Sequence, residues 1–88
     1  MRTIQPVTKY IKDVKRLQRR GYDLAKLNQL ITALATDQPL PPSARPHKLA
    51  GQQRDVWDVH IAPDWILLYE INPQTVTLVR TGTHADLF

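Results

Sequence analysis

His47, His60 and His84 are the only histidines of the chain, and all three lie in its C-terminal half. Asp58, Asp64 and Arg80 lie among them. An unperturbed imidazole titrates near pH ~6.5, so it can take or give a proton at neutral pH. These residue types are the ones RNA cleavage without a metal requires. One group takes the proton from a 2′-hydroxyl, another protonates the departing 5′-oxygen, and a fixed cation steadies the phosphorane between them. Arg80 suits the last duty, because its planar fork matches phosphate oxygens bidentately. Each residue also has a plainer reading. His60 sits on the polar side of a strand pattern, His47 in a loop, His84 near the terminus, and Asp64 follows Pro63 as a turn residue does.

Other chemistries find less support. The three histidines with Asp64 could form a zinc set, but no local spacing such as H-E-x-x-H accompanies them. No metal and no cofactor is therefore expected. The chain has no glycine-rich phosphate loop, no G-x-S-x-G and no cysteine. Without cysteine there is no disulfide framework and no thiolate nucleophile.

The elements that must hold these residues follow from the hydrophobic pattern. Residues 2–5 read as a short edge strand limited by Pro6. Thr8 is the expected N-cap of a helix over 9–20, with Tyr10, Ile11, Val14 and Leu17 on its apolar stripe and Gly21 ending it. Asp23 is the expected cap of a second helix to about Thr36, striped by Leu24, Leu27, Leu30, Ile31 and Leu34. A turn this short implies an antiparallel helical hairpin. The proline-rich stretch 38–46 breaks regular structure.

Strands follow. Over 56–61, Trp57, Val59 and Ile61 alternate with Val56, Asp58 and His60, so Asp58 and His60 share a face opposite the core. Residues 65–71 and 75–81 complete a meander, turned at Pro63-Asp64 and Asn72-Pro73-Gln74. Parity puts Arg80 in line with Val76 and Leu78. Gly82 permits a bend, after which 84–88 trail from the sheet. Trp65 and Phe88 could each stack on a base, Trp65 reading better as core. The fold class is α+β: a short N-terminal strand, then the helical hairpin packed on a small, mainly antiparallel sheet.

At 88 residues and 42% hydrophobic the chain suits one domain, 1–88. No apolar run approaches the ~20 residues needed to span a bilayer. The N-terminus has no apolar stretch like a signal peptide, and a cytoplasmic location is expected. Charge is lopsided. Residues 1–30 carry eight Lys and Arg against two Asp, while 31–88 carry four against six Asp and Glu. Such a basic half suits an anionic partner, or simply a solvated helix face.

Three stretches resemble the RelE/ParE superfamily of bacterial toxins, and most closely its YafQ-like branch: His47-Lys48-Leu49-x-Gly51, then Asp58-Val59-His60-Ile61-x-Pro63-Asp64-Trp65-Ile66-Leu67-Leu68-Tyr69, then Arg80-Thr81-Gly82-Thr83-His84-Ala85-x-Leu87-Phe88. The N-terminal half adds only a generic match. The resemblance implies a RelE-like fold and the toxin of a type II toxin-antitoxin system. Such toxins are ribosome-dependent mRNA endoribonucleases that act in the A site. It implies a cognate antitoxin, and operator DNA bound only as the complex with it. A free monomer and no membrane association are expected.

Carried over by motif position, the catalytic set is His47, Asp58, His60, Asp64, Arg80 and His84. Phe88 and Arg54 would bind substrate. Arg80 would hold the scissile phosphate and His84 would act as general acid. His47, with Asp64 nearby, would act as base, Asp58 and His60 would orient or share these duties, and the acid and base labels can be exchanged. Lys9, Lys12, Lys15, Arg16, Arg19 and Arg20 would face ribosomal RNA or the antitoxin. Relatives often carry arginine where this chain has Trp57, and parity puts Arg54 on the opposite strand face from Trp57. Activity or codon preference would shift accordingly. Two alternatives remain: a ParE-like toxin that blocks gyrase without cutting, and an inactive relative that only binds antitoxin or represses with it.

Overall fold

The computed structural model describes residues 1–49 and 55–88. The expected contacts of Gly51 and Arg54 lie outside the described residues. Strand β1 (Thr3–Pro6) leads into helix α1 (Thr8–Arg19) and helix α2 (Leu24–Ala35). A 3-10 turn at Pro42–Ala44 precedes the two-residue strand β2 (His47–Lys48). Then come β3 (Trp57–Ala62), β4 (Trp65–Ile71), β5 (Thr75–Gly82) and a short helix α3 (His84–Leu87). The strands form one sheet in the order β1-β5-β4-β3-β2.

The expected meander is therefore the centre of a wider sheet. β1 returns to pair parallel with β5, and β2 adds an antiparallel edge to β3, with His47 opposite Asp58. The proline-rich connector hid β2. Only two of its residues pair, too few to show alternation.

The two helices bury one sheet face. Tyr10, Leu17, Leu27, Leu30, Ile31 and Leu34 pack on Val59, Leu67, Tyr69, Val76 and Leu78. The opposite face carries a smaller cluster of Val56, Ile66 and Leu68, flanked by Leu49, Val79 and Leu87. Trp57 packs on the helical side, with the Lys48 ammonium 5.7 Å from its ring centre. It does not share a face with Asp58. Trp65 is core, as expected, and its indole N–H donates to Thr81 Oγ1 at 3.0 Å.

Local details depart from the sequence reading in three places. Thr8 is the first residue of α1 rather than its cap; Val7 holds that position without a side-chain bond. Asp23 does cap α2, accepting from the Ala25 N–H at 3.0 Å. On α1, Ile11 is exposed while Asp13 is buried between Tyr10 and Leu17. Apolarity alone puts Ile11 on the buried stripe, but the Asp13 carboxylate takes that place. Third, residues 84–88 do not trail. Thr83 and Asp86 form a reciprocal capping box that starts α3. The T-x-x-D spacing at 83–86 is the signal for it.

Candidate functional site

Cross-strand register decides which reactive groups meet. One row of paired residues runs His47, Asp58, Leu68, Arg80 across β2, β3, β4 and β5. The next row runs His60, Ile66, Gly82. Both lie on the sheet face away from the helices, because paired residues point the same way and Ile66 and Leu68 belong to the smaller cluster. Arg80 joins this row through a bulge. Tyr69 pairs with Leu78 and Leu68 with Arg80, so Val79 is an extra residue and strand parity is lost between Leu78 and Arg80. The expected alignment of Arg80 with Val76 and Leu78 fails for that reason.

Beyond Gly82 the capping box turns the chain so that α3 brings His84 back over β3. The imidazoles of His60 and His84 are 5.7 Å apart between centres, and Phe88 stands 6.3 Å from His84. His84 Nδ1 lies 2.7 Å from Asp64 Oδ1, and the His84 backbone N–H donates to the same oxygen at 3.2 Å. The ring and backbone hydrogen bonds from His84 hold the Asp64 carboxyl below the usual carboxylate range. A carboxylate only accepts, so Nδ1 carries the hydrogen and Nε2 is left for substrate.

His47 is held differently. Its Nδ1 lies 3.2 Å from the Arg45 carbonyl oxygen and 3.4 Å from Asp58 Oδ1. Arg45 has a left-handed backbone, φ 44°, immediately before Pro46. A non-glycine residue there stores roughly 1–3 kcal/mol of strain. Asp58 is buried and helps raise the Tyr69 phenol, though burial of the phenol is the larger cause. His60 Nδ1 is buried and has no hydrogen-bond partner among the described residues. A cleft of about 450 Å³ opens beside His60, lined in part by Lys26, Ser43 and Arg45.

Arg80 is anchored by a residue that sequence reasoning passed over. Its Nε donates to Asp13 Oδ2 at 2.6 Å and its Nη2 to Asp13 Oδ1 at 3.0 Å. This bidentate bond is the main cause of the further rise in the already high Arg80 pKa. Asp13 also accepts from the Thr81 backbone N–H and from Arg16. Asp13 is thus buried between two guanidiniums, and Arg16 still compensates its charge if Arg80 is removed.

A family description, "Bacterial toxin of type II toxin-antitoxin system, YafQ", matches residues 2–88. The mRNA interferase toxin YafQ of Escherichia coli K12 is 42% identical over 88 residues, covering 99% of this chain and 96% of that protein. A crystal structure of a metal-bound toxin from Helicobacter pylori superposes with a TM-score of 0.94, at 42% identity and full coverage of both chains. The toxin in the E. coli DinJ-YafQ toxin-antitoxin complex gives 0.91 at 42% identity, covering 99% of this chain and 97% of that one. The chain belongs to the YafQ family.

Within this YafQ-family toxin the histidine and carboxylate candidates fall into two pairs. Asp64 serves His84 rather than His47, and Asp58 faces His47. The expected pairing of His47 with Asp64 is corrected by the β2–β3 register, which puts Asp58 opposite His47. Among the described residues no group of three or more His, Asp or Glu side chains could hold a metal ion.

The basic helix is also less uniform than its sequence implies. Arg16 is bound to Asp13, and Arg20 makes a fork on Asp86 at 2.9 and 3.2 Å. Lys9, Lys12, Lys15 and Arg19 remain exposed. Asp86 is held well below the ordinary carboxylate range, first by Arg20 and then by the Thr83 backbone N–H. Arg20 thereby ties α3, with His84 on it, to α1.

Proposed function

We propose that this toxin cuts messenger RNA in the ribosomal A site by metal-independent attack of a 2′-hydroxyl on the adjacent phosphate. Membership of the YafQ family makes it an endoribonuclease of a type II toxin-antitoxin system. The observation that carries the mechanism is the His84–Asp64 bond beside His60, on the face that also holds Asp58. His47, with Asp58 behind it, takes the proton from the 2′-hydroxyl. The 2′-oxygen attacks phosphorus, and the charge on the phosphorane falls on Arg80. The imidazolium of His84 gives its Nε2 proton to the departing 5′-oxygen while Asp64 holds the Nδ1–H and steadies the ring. A 2′,3′-cyclic phosphate and a 5′-hydroxyl result. His60 orients His84, and Phe88, which is exposed, packs on a base. Arg54 contributes to substrate binding.

The remaining assignments follow the same reading. One toxin domain, 1–88, acts as a monomer in the cytoplasm. No helix among the described residues is long and apolar enough to cross a membrane. The E. coli relative is known in a complex with DinJ, and a cognate antitoxin is assigned to this chain likewise. Operator DNA is bound only by that complex.

The test is cleavage of a defined message on programmed ribosomes, followed by primer extension. Wild-type protein should give discrete cuts within the A-site codon. His84→Ala and Arg80→Ala should lose about 10²–10⁴ in single-turnover rate while still binding antitoxin. Full activity in both variants would overturn the site. After induction in cells, intact messages accompanied by DNA damage would instead indicate a gyrase-directed toxin.

A further inference from the structure

Asp13 is the only acidic residue of α1 and is almost wholly buried. Its surroundings explain why a carboxylate stands on a core stripe. β1 ends at Pro6, opposite Leu78, so among the described residues no strand pairs with the rest of that edge of β5. α1 lies there instead. The Thr81 backbone N–H donates to Asp13 Oδ2 at 3.2 Å. The same oxygen receives Arg80 Nε and the other receives Arg80 Nη2.

These bonds use one particular side of the guanidinium. A guanidinium offers two forks: a lateral one from Nε and Nη2, and a terminal one from Nη1 and Nη2. Asp13 occupies the lateral fork. The terminal fork remains, on a side chain that keeps 28% of its surface open. Its plane is fixed by two bonds to a buried group. The bulge at Val79 and the Thr81 bond to the same carboxylate fix the backbone that carries it.

We propose that Asp13 is a positioning residue for cleavage: from the buried face of α1 it locks the lateral fork of Arg80 so that the terminal fork is presented to the scissile phosphate. The inference rests on the assignment of Arg80 to that phosphate. A preset fork loses no side-chain freedom when the phosphorane forms, so its effect belongs to the chemical step rather than to ribosome binding.

The test is a double-mutant cycle on programmed ribosomes with Asp13→Asn, Arg80→Ala and the double variant, read as single-turnover rate and as ribosome affinity. Asp13→Asn keeps an acceptor but loses the charge and one of the two acceptor positions. It should lower the cleavage rate about 10–100-fold with affinity unchanged within about twofold. In the Arg80→Ala background the same change should cost less than about twofold, since Asp13 then has nothing to orient. Asp13 keeps Arg16 as a partner when Arg80 is removed, and each rate is scaled to the folded fraction read from that variant's melting curve, so a destabilised Arg80→Ala still gives a usable corner of the cycle. Equal losses in both backgrounds, or loss of affinity without loss of rate, would show that Asp13 is merely structural. Wild-type activity in Arg80→Ala would instead overturn the phosphate assignment itself.

Discussion

His84 and Asp64 are twenty residues apart in sequence, yet two atoms of His84 share a single Asp64 oxygen. The ring Nδ1 is 2.7 Å from it and the backbone nitrogen 3.2 Å. One carboxylate thus sets both the rotation of the imidazole and the start of the helix that carries it. Asp64→Ala should lower the single-turnover rate by about 10–100-fold, less than His84→Ala, because the ring is mispositioned rather than removed. The double variant should be no slower than His84→Ala alone. Additive losses would mean that Asp64 acts elsewhere.

The Arg20–Asp86 fork clamps α3 and should be felt in both activity and stability. Asp86→Ala removes the capping-box carboxylate as well as the clamp, and a lost cap costs about 1 kcal/mol. In a chain of this size that lowers Tm by roughly 4–8 °C. The sign with pH is fixed by the depressed Asp86 pKa. Its contribution is full above the unfolded value of about 3.9 and is lost as pH falls below it toward the lower folded value. Melting curves taken at falling pH should therefore show a constant gap between wild type and Asp86→Ala from neutral pH down to about pH 5, and a gap that narrows progressively below about 3.9.

Gly82 is required by a close approach. A Cβ built there falls 2.9 Å from Asp86 Oδ2 and 3.0 Å from Asp86 Cβ. That oxygen is already held by Arg20 and by the Thr83 N–H, so it cannot swing away freely. Gly82→Ala should cost about 1–3 kcal/mol, as overpacking does, and should reduce cleavage by displacing His84. An unchanged Tm with unchanged cleavage would show that the contact is relieved at no cost.

Tyr10 gives an alkaline signature. Burial, with help from the Asp13 charge, pushes its phenol up to about 12. A raised folded pKa means that stability is full below the unfolded value of about 10 and falls as pH rises from there toward 12. Tyr10→Phe should remove that part of the loss. Denaturant unfolding at pH 9 and pH 11 checks it: the variant should lose less stability between the two than wild type does.

The exposed cations of α1 should govern salt dependence. Replacing Lys9, Lys12, Lys15 and Arg19 by glutamine should weaken ribosome binding and flatten its dependence on salt by up to ~0.7–0.9 in log-log slope per lost phosphate contact. Arg16→Gln and Arg20→Gln should act mainly on stability or rate, since both guanidiniums are bound within the fold. An identical effect on the salt slope from all six would reject this division.

The amino-acid order alone determined the helices, the three main strands and the identity of the reactive side chains. Those depend on period, caps and turn residues, which are local. It also placed Asp58 and His60 on one strand face, because parity holds within an unbroken strand. Parity failed at Arg80, where a one-residue bulge shifts the register and nothing in Thr75–Gly82 announces it.

What only the tertiary structure decided is which group serves which. The pairing of His47 with Asp58 depends on a two-residue strand, and that of His84 with Asp64 on the return of α3 over β3. The role of Asp13 was hidden because a charge on an amphipathic helix reads as solvent-facing. It is buried since β1 stops at Pro6 and leaves the Thr81 N–H and the Arg80 guanidinium in need of an acceptor. Such complementarity joins residues 67 and 68 positions apart, and only the packing of α1 against β5 brings them together.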